Sequence, residues 1–187
     1  MAELKVRGIC GSLRQGSMNR ATLRAATQLA PAGMKIEPLE WADLPIYSAD
    51  DDGDKTPDSA KAFKEAIRAA DAILIVSPEY NYSIPGGLKN AIDWASREKQ
   101  GSPQCFTDKP VAIMGASPGN IATARMQYHL RQVFVFLDAR VLTKPEVMIG
   151  QAASKFDATG KLTDDATRNV IKGQLDALAT WTRRLRS

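Results

Sequence analysis

Histidine is almost missing from this chain: among its 187 residues only His129 carries an imidazole. That excludes multi-histidine metal centres and argues against a histidine-dependent nucleophile triad. Cysteine is nearly as scarce. Cys10 and Cys105 lie far apart with no C-x-x-C, so neither a disulfide framework nor a thiolate metal site is implied. Cys10 ends an apolar stretch and reads as a small core residue. No apolar run approaches the roughly 20 residues of a membrane helix. The opening Met1-Ala2-Glu3-Leu4-Lys5 enters a strand pattern without the features of a signal peptide, so a cytoplasmic protein is expected. No run of five or six basic residues appears, and nucleic-acid binding is not expected. Internal repeats, low-complexity segments and linkers are absent too.

What remains is an ordinary globular composition, 44% hydrophobic and 25% charged. Its length predicts one domain over residues 1–187 with a sizeable core. The net charge of +4 is unevenly spread. Lys5, Arg7, Arg14, Arg20, Arg24 and Lys35 face only Glu3 in the first 35 residues, whereas Asp50, Asp51, Asp52 and Asp54 cluster later. A mild positive field of this kind draws in anionic cofactors and substrates.

The most informative stretch runs from Ser77 to Trp94. Before it, Ala72-Ile73-Leu74-Ile75-Val76 has the length and β-branching of a strand buried on both faces. After it, Leu88, Ala91, Ile92 and Ala95 repeat at i, i+3, i+4, i+7, the stripe of a helix, with Pro85 suited to its first position. The loop between is polar, aromatic and stiffened by proline. Open α/β sheets bind ligands at such carboxyl ends of strands, and this loop suits a flat aromatic ligand.

A second loop has matching character. Leu4 to Cys10 reads as a strand, and Gly11 to Arg20 leads into a helix through about Ala30. Two glycines permit close backbone approach, while Ser12, Ser17, Asn19, Arg14 and Arg20 offer donors and charge. The free N–H groups of the helix start point at the same place. The spacing is neither G-x-G-x-x-G nor G-x-x-x-x-G-K-[ST], so a single phosphate monoester fits better than a dinucleotide or a triphosphate. The plainer reading is an N-capped strand-to-helix turn.

Further along, Met34 to Glu40 reads as a strand, followed by an acidic loop over Asp43 to Ser59. A helix over Ala60 to Ala70 comes next, and a strand over Pro110 to Ala116 that opens into Ser117-Pro118-Gly119-Asn120. A helix follows from Ile121 to Asp138, then a fifth strand over Val141 to Lys144 and a turn over Asp157 to Lys161. Thr163 is expected to cap the last helix, with Asp164 and Asp165 against its positive end. Strands and helices alternating in this way imply a parallel sheet with right-handed crossovers. Arg7 conflicts locally with a central first strand, because a lone buried charge is costly.

Together these segments resemble the NADPH-dependent FMN reductase family, in particular its quinone and chromate reductase branch. The pieces are Gly11-Ser12-Leu13-Arg14 with Ser17 and Asn19, then Pro78-Glu79-Tyr80-Asn81 and Ser83-x-Pro85-Gly86-x-Leu88-Lys89-Asn90-Ala91-Ile92-Asp93-Trp94. Weaker ones are Arg125-x-x-Tyr128-His129-Leu130-Arg131-Gln132 and Lys144-Pro145-Glu146. The resemblance implies a flavodoxin-like α/β three-layer sandwich: a five-stranded parallel sheet of order 2-1-3-4-5 with helices on both faces. It implies bound FMN, NADPH or NADH as donor, and a homo-oligomer, dimer or tetramer. Gly11, Ser12, Leu13, Arg14, Ser17, Met18 and Asn19 would surround the phosphate. Pro78, Glu79, Tyr80 and Asn81 would pass along the ring, and Ser117, Pro118 and Gly119 would close its other edge. The reaction implied passes a hydride from NAD(P)H through flavin N5 to a quinone, free flavin or chromate-type acceptor by a ping-pong route. No catalytic side chain is expected, since the cofactor carries the chemistry; Glu79 is expected at the ring edge or in a structural role. Tyr82, Arg125, Tyr128 and Glu146 are expected at the substrate and subunit-contact side, with Glu146 the anionic partner of Arg125. The apolar second face of the Ile121 helix and Trp94 are read as subunit contacts, or else as lying beneath a long loop. The other readings are a flavodoxin-type electron carrier without its own substrate and a cofactor-free binding protein of the same fold.

Overall fold

Five strand positions lie side by side in the order 2-1-3-4-5, and every pairing between them is parallel. They belong to a computed structural model that describes residues 2–97 and 104–186. The elements are β1 (Leu4–Cys10), α1 (Met18–Gln28), β2 (Met34–Pro38), α2 (Asp58–Arg68), β3 (Ala72–Val76) and α3 (Gly86–Ala95). They continue with β4 (Pro110–Ala116), α4 (Ala124–Phe136), β5 (Arg140–Val141), β6 (Val147–Ile149) and α5 (Asp165–Leu185).

Alternation along the central strands builds two cores. Leu74 and Val76 of β3 and Ala112 and Met114 of β4 face α1 and α5. Ile73, Ile75, Val111 and Ile113 face α2, α3 and α4. A strand buried on both faces needs an unbroken apolar run, and both β3 and β4 supply one. The expected flavodoxin-like fold is present.

The differences from expectation have local causes. The fifth position is split: β5 pairs with the start of β4 and β6 with its end. Pro145 lies between them, and a residue without an N–H cannot continue a ladder. Gln174 of α5 occupies the break, its amide donating to Ile113 O at 3.1 Å and Pro145 O at 2.7 Å. Helix α5 is capped by Asp164 rather than Thr163, with the carboxylate accepting from Thr167 N at 2.7 Å. Pro85 stands one residue ahead of the helical run, at the N-cap of α3. Arg7 finds its partner through register: it lies opposite Glu37 on β2 and the side chains meet at 2.8 Å, both about a third exposed or more.

Trp94 is completely buried within its own chain, which removes it from any subunit contact. The long loop after β2 covers it, Pro45 O accepting from its Nε1 at 2.8 Å and Tyr47 packing edge-on at 5.0 Å. Among the described residues no helix is long and apolar enough to cross a membrane.

Candidate functional site

The carboxyl ends of β1, β3 and β4 open into three loops that are tied to one another. Gly11 N donates to Val76 O at 2.9 Å and Ser77 N to Met114 O at 3.0 Å, extending the sheet one residue into each loop. A Cβ on Gly11 would lie 2.2 Å from Ser77 Oγ, so no other residue lets the first and second loops approach this closely. Gly115 is equally constrained, its missing Cβ falling 2.2 Å from Ser77 O and 2.4 Å from Thr123 Oγ1.

Asn19 makes the third connection. Its Nδ2 donates to Ala116 O at 2.9 Å and its Oδ1 accepts from Ala116 N at 2.8 Å. This buried side chain clamps the first turn of α1 to the end of β4. The sequence suggested a donor to the phosphate; Oδ1 and one N–H of its amide are engaged by Ala116, which gives the side chain a positional part as well.

The first loop has the chemistry of an anion cradle. Ser17 caps α1, its Oγ accepting from Asn19 N and Arg20 N, and Ser12 Oγ accepts from Arg14 N. Both hydroxyls therefore keep their O–H as a donor. No acidic residue stands in the first turn of α1. Among the described residues, the N–H groups of Gln15, Gly16 and Met18 meet no protein acceptor. Leu13 and Arg14 are exposed on the crest, Met18 half-buried. Donors without acceptors at a helix N-terminus match a phosphate monoester. Arg20 is turned away from this cradle, toward Glu40.

The second loop is a tight hairpin. Tyr80 and Ser83 exchange two backbone bonds, with Asn81 and Tyr82 at φ 51° and 66°. Positive φ at both central positions defines a type I′ turn. For tyrosine this conformation is strained by about 1–3 kcal/mol and persists only where neighbours hold it. They do: Arg125 stacks 3.6 Å from the Tyr82 ring centroid, and Ser83 Oγ meets His129 Nδ1 at 2.9 Å. Glu79 supports both. Its nearly buried carboxylate accepts from Arg125 Nε at 2.6 Å and from Met126 N at 3.1 Å, at the positive end of α4. The Glu79 carboxylate thus ties the hairpin to the start of α4. Its occupancy of Arg125 corrects the pairing with Glu146. That carboxyl bonds Lys144 at 3.0 Å, and this bond, helped by Tyr128, holds it below the usual carboxylate range.

The third loop is short. Ser117 N donates to Ile149 O and Ser117 Oγ accepts from Gly119 N, while Pro118 and Gly119 are exposed beside the crevice. Sequence reasoning missed Trp41, whose Nε1 donates to Cys10 O at 2.7 Å at the base of the first loop. A single tryptophan just ahead of the acidic loop gave no periodic signal of this. Tyr80, Tyr82 and Tyr128 are exposed, as are Val135 and Phe136 at 79% and 86% along the outer side of α4. Among the described residues no group of three or more metal-ligating side chains assembles.

An open parallel sheet, a loop of free donors and an aromatic hairpin at the strand ends are the features of a flavodoxin-like mononucleotide-binding domain. More narrowly, the chain belongs to the NADPH-dependent FMN reductase family, whose model matches residues 4–154. It is 54% identical over 184 residues to an NAD(P)H-dependent FMN reductase of Pseudomonas aeruginosa, covering 98% of each chain. It is 46% identical to a quinone reductase of Escherichia coli over 98% of each. Among solved structures, the flavoenzyme NAD(P)H:(acceptor) oxidoreductase of Paracoccus denitrificans superposes with a TM-score of 0.87 at 35% identity. That superposition covers 97% of this chain and 98% of the other. Membership in the family makes the protein an FMN-using enzyme with NAD(P)H as donor.

Proposed function

We propose that the protein is a single-domain, cytoplasmic NAD(P)H-dependent reductase of quinones, with free flavin and chromate-type oxidants as further acceptors, working by ping-pong exchange at one open face. The observation that carries this reading is the cradle of unpartnered N–H and O–H donors beside a braced aromatic hairpin. The reaction asks no acid, base or nucleophile of the protein, because the cofactor carries the chemistry. When bound, FMN supplies the redox chemistry, taking two electrons from the nicotinamide and giving them to the acceptor.

The chain's own residues bind and orient. Gly11, Ser12, Leu13, Arg14, Ser17 and Met18 hold the phosphate, with Asn19 fixing the loop. Pro78, Glu79, Tyr80 and Asn81 present backbone groups along the ring, and Ser117, Pro118 and Gly119 close its far edge. Tyr82 and Arg125 stand where a flat acceptor would enter, and Tyr128 and Glu146 lie on the neighbouring side where another subunit docks in a dimer or tetramer.

Purified protein should carry non-covalent FMN, identified by mass after release, and should oxidise NADPH or NADH when a quinone is added. Arg14→Ala should weaken FMN binding by several-fold to about a hundredfold, the worth of one charged hydrogen bond. Bound FAD, or no flavin, would remove the reading. Bound FMN without NAD(P)H oxidation would favour a flavodoxin-type carrier.

A further inference from the structure

The first loop leaves the sheet at the peptide group between Cys10 and Gly11, and that group is held from both sides. Its N–H, on Gly11, donates to Val76 O at 2.9 Å on the β3 side. Its C=O, on Cys10, accepts from the indole Nε1 of Trp41 at 2.7 Å on the β2 side. The second bond replaces a rung that the main chain does not make. Leu39 N donates to Gly8 O at 2.9 Å, and in a parallel ladder the next rung would join the backbone N–H of Trp41 to Cys10 O. The backbone turns away into the loop after β2, and the side chain of the same residue completes the ladder.

The indole is confined to that pose. Trp41 is buried, and a Cβ on Gly87 would lie 2.7 Å from both its Cη2 and its Cζ3. The ring is therefore wedged between the end of β1 and the first turn of α3. Asn19 fixes the far end of the loop against β4, so Trp41 and Asn19 hold the two ends of the donor cradle. Without the indole N–H, Cys10 O would have no partner at a nearly dry site, and the peptide would turn to find water.

We propose that Trp41 is a positioning residue that sets flavin specificity: its N–H orients the Cys10–Gly11 peptide, and through it the first loop, for a flavin that carries a phosphate. The proposal rests on the assignment of that loop to the phosphate. Because Trp41 acts on the loop, its loss penalises FMN and spares riboflavin, which has the same ring and ribityl chain without the phosphate.

Apoprotein titrated with FMN and with riboflavin, followed by flavin fluorescence, tests this. Trp41→Phe keeps a ring in place and removes the N–H. FMN affinity should fall about three- to tenfold, the worth of one neutral hydrogen bond, with riboflavin affinity within about twofold of the parent. Gly87→Ala reaches the same bond from the other side. Alanine favours the helix, but its methyl displaces the indole from Cys10 O, so the same selective loss is expected. In the double variant the shorter phenyl leaves room for the methyl, and the loss should be no larger than in Trp41→Phe alone. Should Trp41→Phe fail to fold, Gly87→Ala decides alone. Unchanged FMN affinity in Trp41→Phe, equal losses for FMN and riboflavin, or single losses that multiply in the double variant would each overturn the proposal. Arg14→Ala separates it from the assignment beneath it. Unchanged FMN affinity there would place the phosphate elsewhere and remove both; weakened affinity there, with the Trp41 and Gly87 variants unaffected, would remove this proposal alone.

Discussion

Replacing Asn19 separates two roles that its sequence context does not distinguish. If the side chain only touched the phosphate, Asn19→Ala would weaken cofactor binding and leave the apoprotein as stable as before. The observed geometry gives a different result. Alanine would strip partners from Ala116 N and Ala116 O, on a residue only 2% exposed. Each unpaired buried group costs about 1–3 kcal/mol, and water entering from the crevice limits the sum to about 2–4 kcal/mol. Freeing the start of α1 also loosens the cradle, so FMN affinity should fall by about ten- to a hundredfold. Asn19→Asp sharpens the test because it preserves shape. One carboxylate oxygen still accepts from Ala116 N, but the other faces Ala116 O with no proton between them. That repulsion favours the protonated acid in the folded state, raising its pKa there above the unfolded value. The folded state then holds a proton that the unfolded chain releases, so the variant loses stability as pH rises and recovers it on acidification. Urea unfolding of apoprotein at about pH 8 and pH 5.5, with fluorescence titration of FMN, measures both effects. An Asn19→Ala apoprotein within about 0.5 kcal/mol of the parent would refute the clamp, a difference that surface substitutions commonly give.

Two other outcomes follow from burial. Desolvation pushes the Cys105 thiol from 9.0 up to about 11. Below about pH 9 the thiol is protonated in both states; between 9 and 11 the unfolded chain ionises while the folded one resists. Stability should therefore fall by roughly 2–3 kcal/mol across that window. Cys105→Ala should flatten that part of the alkaline profile in denaturant titrations, and identical slopes would disprove the assignment. At the outer side of α4, Phe136 is 86% exposed and touches no core, so Phe136→Glu should leave the fold intact. If that face joins subunits, sedimentation should shift to smaller species, because a symmetric contact feels each added charge at least twice. An unchanged assembly would place the contact elsewhere.

What the sequence disclosed, and what it concealed, divides by the range of the interaction. The apolar runs of β3 and β4 and the stripe of α3 are local patterns, whereas the sheet order came from the family resemblance carried by the first two loops. Arg7 looked unsupported because its partner Glu37 is supplied by strand register, thirty residues away. Trp94 looked exposed because the helical pattern could not show that the loop after β2 folds over it. Asn19 and Ala116 are 97 residues apart, and nothing in either neighbourhood announces the pair. Pairing of charges was misjudged for a related reason. Arg125 had two acidic candidates in the diagnostic motifs, and only the turn of the hairpin decides for Glu79. That turn itself violates local preference, since propensity would not place tyrosine at φ 66°. Consistent local signals specify a scaffold, and departures from them gather where function is built. Here Tyr82, a tyrosine at positive φ, stands at the mouth of the crevice. Its conformation is held by Arg125, by the Glu79 carboxylate behind it and by the contact of Ser83 with His129. In the reaction proposed above, that strain would fix an aromatic edge beside the place where donor and acceptor lie flat.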